Sequence, residues 1–398
     1  MSAPGASKTR RRGRATDAIH GGEEGKKLGN AITTPIIQTA TYTFRDTAEL
    51  TAHMSGDDPR EEYGRYGNPT QQVVEAKCAA LEGAEAGLAF STGMSAITTT
   101  LFAILSNGQH VIMTDDCYRR TRQFCNAVLG KFGIDVSIVP TGDYAALEEA
   151  VRPGKTRVLI SESPTNPYMK VVDLDRLAEF ARKHRLISII DSTFATPINQ
   201  RPIELGIDLV LHSATKYLAG HNDVMAGVIL GREPLVDAVR DCQGILGGVL
   251  DPHAAYLLIR GLKTLPIRVR QQNETAQRIA EMLHEHPRVK RVYYCGLPSH
   301  ENHEIAKAQM SGFGGVVSFE LDGDLDATSA VVDGTQIFQI APSLGGVESL
   351  IEQPALMSFF ELSTEERLAV GIKNNLVRLS VGLEDADDLV ADLESALD

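Results

Sequence analysis

Apolar and polar positions alternate in blocks through the middle of the chain. Short continuous apolar runs end in polar loops, and segments with a helical repeat of apolar positions lie between several of them. The runs are AGLAF (86–90), TRVLIS (156–161), LISIID (186–191), IDLVLH (207–212) and MAGVILG (225–231). Continuous apolar strands separated by helices are typical of a parallel sheet covered on both faces. We therefore predict an α/β fold with a large, parallel-rich sheet.

Two of the intervening segments carry signals for the ends of helices. In NPTQQVVEAKCAALEG, Asn68 is the predicted N-cap, Pro69 suits the first helical position and Gly83 follows the last one. In DLDRLAEFARKH, Asp173 is the predicted N-cap and the apolar residues share one face. Both segments are therefore predicted to be helices that pack on the sheet.

The pattern divides the chain into three regions, as expected for 398 residues, which exceed what one core usually supports. Residues 1–65 have weak periodicity and many turn formers, and we interpret them as an extended arm, because they cannot build a core of their own. Residues 66–255 form the predicted large domain. Residues 256–398, with strand candidates GGVVSFEL and NLVRLSVG between long helical segments, form a predicted smaller α+β domain.

Composition and charge narrow the function classes. The net charge is −13, and the one concentrated positive stretch is SKTRRRGR at 7–14, which argues against a nucleic-acid-binding face. We expect this tail to be disordered; the alternatives are a transit peptide and a nucleic-acid-binding arm. No apolar stretch is long enough to span a membrane, no signal peptide is evident, and the five cysteines form no CxxC pair. We predict a cytoplasmic protein without membrane contact, disulfides or a metal site.

The ends of the apolar runs carry polar side chains, at the edge where open α/β sheets bind ligands. Asp191 follows a buried run, and it either caps a loop or needs a cation. If the backbone stays extended after 212, Ser213 and Thr215 lie on one side and Lys216 on the other. A partly desolvated lysine there has a lowered pKa and is a candidate nucleophile, although a solvated loop lysine is the alternative.

Other candidates for ligand binding lie elsewhere in the chain. Gly93 and Met94 begin a helix directly after a strand, where backbone N–H groups bind phosphate, unless they serve only close packing. Neither GxxxxGK[ST] nor GxGxxG occurs, which argues against an ATPase or a dinucleotide-dependent dehydrogenase. Arg378, in NLVRLSVG, points away from the apolar face of its strand and suits a carboxylate. Tyr63 and Arg65 share a face if EEYGRYGNPT is extended; for both arginines, simple solvation is the alternative.

These groups together match one kind of chemistry. A phosphate cradle, a buried acid, a strand-end lysine and a carboxylate-binding arginine are what pyridoxal 5'-phosphate (PLP) needs when it acts on an amino acid. The acid keeps the pyridine nitrogen protonated, and the lysine holds the aldehyde as an imine.

Seven segments, in order and with similar spacing, resemble the trans-sulfuration family of PLP enzymes, which includes cystathionine γ-synthase, cystathionine γ-lyase and methionine γ-lyase. The segments are YGRYGNPT, STGMSAI, ESPTNP, DSTFATP, HSATKYLAGHNDVMAG, SLGGVESL and NLVRLSVGLED. The resemblance implies PLP fold type I, as in aspartate aminotransferase, and a homotetramer built from two dimers. It also implies γ-elimination or γ-replacement on sulfur amino acids.

The resemblance also assigns roles to individual residues. Lys216 carries PLP, and Tyr118 stacks on its ring and assists with protons. Asp191 pairs with the pyridinium, with Thr193 also at the cofactor. The remaining residues fall into three groups: phosphate ligands, residues reaching the neighbouring subunit's phosphate, and residues around the substrate carboxylate. They are Gly93, Met94, Ser213 and Thr215 in the first group, Tyr63 and Arg65 in the second, and Asn166, Ser343 and Arg378 in the third.

The exact reaction stays open at this point. The segments DDCYRRTRQF and IAPSLGG are most similar to the plant-type cystathionine γ-synthase branch. Pro342 stands where many γ-lyases and bacterial synthases have Glu, and Arg120 where methionine γ-lyases typically have Cys. The alternatives are a methionine γ-lyase, a cystathionine β-lyase and, in a different class, a PLP-binding protein without catalysis.

Overall fold

The computed structural model describes residues 12–25 and 27–398. The predicted disorder of the basic tail therefore falls largely on residues 7–11, which lie outside the described residues. Its last residues are described, and the first helix, α1, begins at Arg14. Within the described residues no helix is long and apolar enough to cross a membrane.

A seven-stranded sheet forms the larger part of the structure. Its strands are β1 Ala86–Phe90, β2 His110–Thr114, β3 Asp135–Val139, β4 Thr156–Glu162, β5 Ile187–Asp191, β6 Leu209–His212 and β7 Gly227–Gly231, in the order β1-β7-β6-β5-β4-β2-β3. β2 to β6 pair in parallel, which confirms the predicted parallel-rich sheet.

One strand departs from the prediction of a parallel sheet. β7 pairs antiparallel with both β1 and β6. The physical reason is the connection from His212 to Gly227, which contains no helix that could carry the chain back across the sheet. The chain reverses instead, and the reversing segment contains Lys216.

Helices cover both faces of this sheet. Buried apolar residues on one face belong to α3 Pro69–Glu82, α6 Tyr144–Ala150, α7 Leu174–His184 and α10 Pro252–Leu262. Those on the other face belong to α4 Gly93–Ile104, α5 Arg119–Ala127 and α9 Glu233–Leu246. The remaining elements before the second sheet are α1 Arg14–His20, α2 Thr47–Met54, α8 Thr196–Asn199 and three 3-10 turns at Leu28–Asn30, Leu129–Phe132 and Pro202–Leu205.

The predicted helix ends are confirmed. The Asn68 side chain accepts from the N–H of Thr70 at the start of α3, and Gly83 ends that helix with a left-handed φ of 77°. Asp173 caps α7 by accepting from the N–H of Arg176.

A second, five-stranded sheet lies in the C-terminal part. Its strands are β8 Val289–Tyr293, β9 Val316–Leu321, β10 Gln339–Ile340, β11 Leu350–Glu352 and β12 Leu376–Ser380, in the order β10-β11-β12-β9-β8. The accompanying helices are α11 Leu265–Glu285, α12 His303–Gln309, α13 Leu325–Gly334, α14 Thr364–Ala369 and α15 Ala386–Leu397. Apolar residues of α11, α13 and α15 cover one face of this sheet.

A buried ion cluster joins the N-terminal segment to the rest of the chain. Lys77 of α3 is fully buried, and it donates to the carbonyl oxygens of Ala18 and Ile19 and to Glu23 at 3.2 Å. Glu23 also contacts Lys27 at 2.9 Å and Lys263 at 3.1 Å. Burial acts to raise the pKa of Glu23, but hydrogen bonds from Thr34 and the lysines, with the charge of Lys77, lower it from 4.5 to about 2.

Glu23→Gln is expected to destabilise the protein by about 3 kcal/mol at pH 7, because the three lysines around Glu23 stabilise its ionised carboxylate in the folded state. A lowered folded pKa stabilises the protein above the unfolded pKa of 4.5, and this contribution is lost as the pH falls toward 2. Thermal unfolding from pH 7 to pH 3 should therefore show a smaller loss of stability on acidification in the variant. The matched control is Glu24→Gln, because Glu24 pairs with Arg12 at the exposed surface. Equal effects of the two substitutions would contradict a special role of Glu23.

Candidate active site

The carboxyl ends of the parallel strands meet at one edge of the large sheet and line a cavity of about 490 Å³. Eleven of the thirteen predicted site residues line it together. They are Gly93, Met94, Tyr118, Asn166, Asp191, Thr193, Ser213, Thr215, Lys216, Ser343 and Arg378. Segments from both sheets thus build one site.

The first wall of the cavity is the N-terminus of α4. Thr92 caps the helix by accepting from the N–H of Ser95, which leaves the N–H groups of Gly93 and Met94 at the cavity. A Cβ on Gly93 would lie 3.1 Å from the Ser213 side chain, so a larger residue would crowd the gap between these two segments. A cradle of this kind, with free N–H groups at a helix N-terminus and a serine hydroxyl opposite, suits a phosphate.

A buried acid lies at the end of β5. Asp191 Oδ1 accepts from the backbone N–H of Thr193 at 3.0 Å and from its hydroxyl at 2.5 Å. The same hydroxyl accepts from the N–H of Ser213 at 2.8 Å, so Thr193 ties the acid to the segment that follows β6. Burial raises the pKa of Asp191, against the hydrogen bonds from Thr193 and the charge of His212. A cation at the carboxylate would reverse that burial effect.

Lys216 lies in the turn that follows β6, which corrects the expectation of extended backbone there. The strand ends at His212, and the N–H of Lys216 donates to the carbonyl of Ser213 at 3.0 Å, so the chain is curled where alternation was predicted. Ser213, Thr215 and Lys216 nevertheless all line the cavity. The Thr215 hydroxyl donates to the carbonyl of Ala226 at 3.2 Å and accepts from its N–H at 2.9 Å, so its proton is used by the backbone.

The amine of Lys216 is held by a neighbouring hydroxyl. Its Nζ donates to Ser343 Oγ at 2.6 Å. Burial, together with the charge of Arg378 and against that of Glu352, lowers the pKa of Lys216 from 10.5 to about 8. A substantial fraction of the amine is therefore neutral near physiological pH, as a nucleophile or base requires.

Arg378 is buried among polar partners on the opposite side of the cavity. One nitrogen, Nη1, donates to Asn166 Oδ1 at 3.1 Å and pairs with Glu352 at 2.9 Å. The other, Nη2, donates to the carbonyl oxygen of Ser343 at 3.0 Å. Its Nε is buried without a partner among the described residues. Burial lowers the pKa of Arg378, against the charge of Glu352. A guanidinium that lines a cavity is a donor group that suits a carboxylate.

The backbone at Ser343 supports this arrangement. Its φ of 89° lies in the left-handed region, which costs a residue with a Cβ of the order of 1 kcal/mol or more. In this conformation the Ser343 hydroxyl accepts a hydrogen bond from Lys216, and its carbonyl oxygen accepts one from Arg378. One strained residue therefore joins the two cationic side chains of the site.

Two acids of the site were missed from the sequence. Glu162 ends β4 as Asp191 ends the neighbouring β5, and its carboxylate accepts from the N–H of Tyr118 at 2.7 Å. Burial raises the pKa of Glu162, and the nearby charge of Asp191 adds to this. The apolar run before Glu162 was a usable signal. Glu352 had none, because only the pairing of β11 with β12 brings it to Arg378.

Tyr63 and Arg65 do not reach this cavity, and the extended backbone expected for them is wrong. The chain turns directly after an isolated bridge between Tyr63 and Thr41. Arg65 stacks on the rings of Tyr63 and Tyr66, with 5.3 and 4.7 Å from its guanidinium carbon to the ring centres, and it donates to the carbonyl of Gly244. Tyr63 is 42% exposed, so it is available to another molecule.

Arg120 is one of the positions at which the branches of the trans-sulfuration family differ. It lies at an opening next to the main cavity. It and Arg119 face Glu361 of the C-terminal part, with nitrogen-to-oxygen distances of 3.7 and 2.8 Å. Pro342 lies in the wall of the main cavity beside Ser343.

The residues of the cavity fit PLP. The Gly93 cradle suits its phosphate, the buried Asp191 carboxylate suits a pyridinium, and the Lys216 amine suits its aldehyde. The described residues contain no group of three metal-binding side chains.

Comparison with known proteins agrees with this geometry. Residues 15–398 match the family described as Cys/Met metabolism PLP-dependent enzyme. The chain is 51% identical over 385 residues to cystathionine gamma-synthase 1, chloroplastic, of Arabidopsis thaliana, covering 96% of this chain and 68% of the relative. It is 45% identical over 388 residues to the L-methionine gamma-lyase of Pseudomonas putida, covering 97% of each.

A solved structure extends the comparison to the fold. The crystal structure of cystathionine gamma-lyase from Lactobacillus plantarum complexed with L-serine matches with a TM-score of 0.89 at 40% identity, over 97% of this chain and 98% of that chain. The fold is therefore the α/β PLP fold type I that the resemblance implied. The chain belongs to the Cys/Met metabolism family of PLP-dependent enzymes.

Proposed function

We propose that this enzyme catalyses γ-elimination or γ-replacement on sulfur amino acids, with cystathionine γ-synthase chemistry as the first candidate. The observation that carries the proposal is that Lys216 and Arg378 both donate hydrogen bonds to Ser343. These contacts set an amine beside a guanidinium that can bind a carboxylate. The 51% identity to a plant cystathionine gamma-synthase favours γ-replacement. Methionine γ-lyase and cystathionine β-lyase activities are the alternatives within the family.

The cofactor is held by residues from several strand ends. PLP, when bound, withdraws electrons from the substrate α-carbon and so makes its proton removable. Gly93, Met94 and Ser213 would hold the phosphate, and Asp191, oriented by Thr193, would hold the pyridinium. Thr215 shapes the wall through its bonds to Ala226.

Three residues would handle the substrate. Arg378 binds the α-carboxylate, with Asn166 and Ser343 fixing the plane of its guanidinium. Lys216 would hold the cofactor through its amine, and when that amine is free and neutral it would accept the α-proton. Tyr118 lines the cavity and is 47% exposed, so it can stack on the cofactor and assist proton transfer.

We propose that the assembly is a homotetramer of two dimers. In it, residues 1–65 form an arm, and Tyr63 and Arg65 reach the phosphate of a neighbouring subunit. Their distance from their own cavity and the exposure of Tyr63 support this role. The division into a large domain, 66–255, and a small domain, 256–398, and the cytoplasmic location stay predictions.

Parallel incubations test the reaction. With PLP-loaded protein, cysteine plus an O-acylhomoserine or O-phosphohomoserine is expected to give cystathionine, with thiol-free controls giving 2-oxobutyrate more slowly. Cystathionine alone tests the lyases: cysteine with 2-oxobutyrate indicates the γ-lyase, and homocysteine with pyruvate indicates the β-lyase. Methionine tests the methionine γ-lyase. Lys216→Ala is expected to remain folded and to lose turnover by a factor of about 10³ or more.

Failure of wild type to turn over any of these substrates, with PLP bound, would contradict the proposal in favour of a PLP-binding protein without catalysis. Full turnover by Lys216→Ala would contradict the role given to Lys216.

The lowered pKa of Lys216 predicts how the apoprotein captures PLP. Only the neutral amine attacks the aldehyde, so the capture rate should rise about tenfold for each pH unit below 8 and level off above it. Stopped-flow absorbance of the lysine-bound cofactor measures this rate. Nα-acetyl-lysine, whose amine is solvated, is the control and should keep rising to above pH 10. A protein profile that follows the control would show that burial does not lower the pKa of Lys216.

A further inference from the structure

Helix α11, between the two sheets, carries two buried polar side chains that the proposed mechanism does not use. Arg268 and Gln272 are 3% and 0% exposed. They are four residues apart and so lie on the same face of the helix. Arg268 contacts the segment that carries Lys216, and Gln272 contacts the segment that follows Ser343.

Arg268 binds backbone carbonyl groups directly after Lys216. Its Nη1 donates to Tyr217 O at 2.8 Å, and its Nη2 donates to Gly261 O at 2.8 Å and to Leu218 O at 3.4 Å. Its Nε donates to Thr264 Oγ1 at 3.2 Å. Each of these acceptors is uncharged, and burial lowers the pKa of Arg268 from 12.5 to about 10. Burying a cation with only uncharged acceptors, which here are three carbonyl oxygens and one hydroxyl, is costly, so a role beyond packing is expected.

The residue next to Lys216 is held at both ends. Tyr217 is 1% exposed, its carbonyl oxygen accepts from Arg268, and its hydroxyl accepts from the N–H of Gly315 at 3.1 Å. Gly220, at the end of the turn, has a φ of 73°, and a Cβ there would collide with the Arg268 guanidinium. The backbone that carries Lys216 is therefore fixed against α11.

Gln272 makes the corresponding contacts on the other side. Its Nε2 donates to Gly346 O at 2.9 Å and to Val381 O at 3.2 Å. Gly346 follows Ser343 by three residues, and Val381 follows Arg378 by three residues. One amide group therefore fixes both the strained serine segment and the end of the strand that carries the carboxylate-binding arginine.

We propose that Arg268 and Gln272 are positioning residues that set the Lys216 segment against the Ser343 and Arg378 segments. One turn of α11 spans the two contacts, and the hydrogen-bonded helix keeps their spacing constant. The 2.6 Å approach of Lys216 Nζ to Ser343 Oγ then follows from the register of this helix. The proposal deepens the proposed function and rests on the roles given there to Lys216 and Arg378.

The two residues act on different sides of the site, which gives them separable kinetic effects. Arg268→Lys keeps the charge but loses the planar fork, so it frees the Lys216 segment. It is expected to slow PLP capture and lower kcat by about tenfold or more, with KM within about threefold of wild type. Gln272→Leu keeps a side chain of similar volume and loses both hydrogen bonds to the backbone. It is expected to raise KM for the amino acid by about tenfold, with PLP capture within about twofold of wild type.

Gln309→Leu is the matched control. Gln309 of α12 also binds two backbone groups through its side-chain amide: it donates to Val172 O at 2.7 Å and accepts from the N–H of Leu174 at 3.2 Å. Both groups belong to one segment, and Gln309 does not line the cavity. It should lower Tm and leave both PLP capture and KM unchanged.

Wild-type kinetics in both test variants, or proportional changes of PLP capture, kcat and KM in all three variants, would overturn the proposal. If Arg268→Lys does not fold, the effect of Gln272→Leu on KM alone decides. If wild type does not turn over sulfur amino acids, the proposed function fails. PLP capture by Arg268→Lys then still tests the positioning of Lys216, because that measurement needs no substrate.

Discussion

A buried charge needs a partner, and this constraint shapes the whole active site. Arg378 is buried because Glu352, Asn166 and the Ser343 carbonyl surround it. Across the cavity, Asp191 and Glu162 lie side by side on neighbouring strand ends, where burial raises the pKa of each. The site thus places Asp191 and Glu162 at the large sheet and the Arg378 guanidinium at the other sheet, and a ligand with a pyridinium at one end and a carboxylate at the other complements both.

Features encoded over short stretches were predictable from the sequence. Asn68 and Asp173 cap helices by accepting from N–H groups only two or three residues further along the chain, so the local sequence contains the whole signal. The large sheet is likewise indicated by the apolar runs alone. The lysine turn was missed because the residues of this reversal with left-handed φ, Gly220 and Asn222, lie after Lys216 and do not mark the end of β6 at His212. Glu352 was missed for a similar reason, since strand pairing alone places it beside Arg378.

The same cavity residues are compatible with more than one outcome of the proposed chemistry. Relatives named as a synthase and as a lyase match this chain at 51% and 45% identity. The shared steps of the proposed chemistry need only the amine, the acid and the carboxylate-binding arginine. A separate opening lies beside them, where Arg119 and Arg120 face Glu361. The positions that differ from other branches, Arg120 and Pro342, lie at this opening and in the cavity wall.

The proposed mechanism requires that Lys216 holds the cofactor at this sheet edge. Borohydride reduction of the PLP-loaded protein, followed by proteolysis and mass spectrometry, tests it most directly, because reduction makes the lysine-to-cofactor bond permanent. One phosphopyridoxyl group per chain on the peptide containing Lys216 is the expected result. A label on a different lysine, or no label in protein that has bound PLP, would contradict the claim.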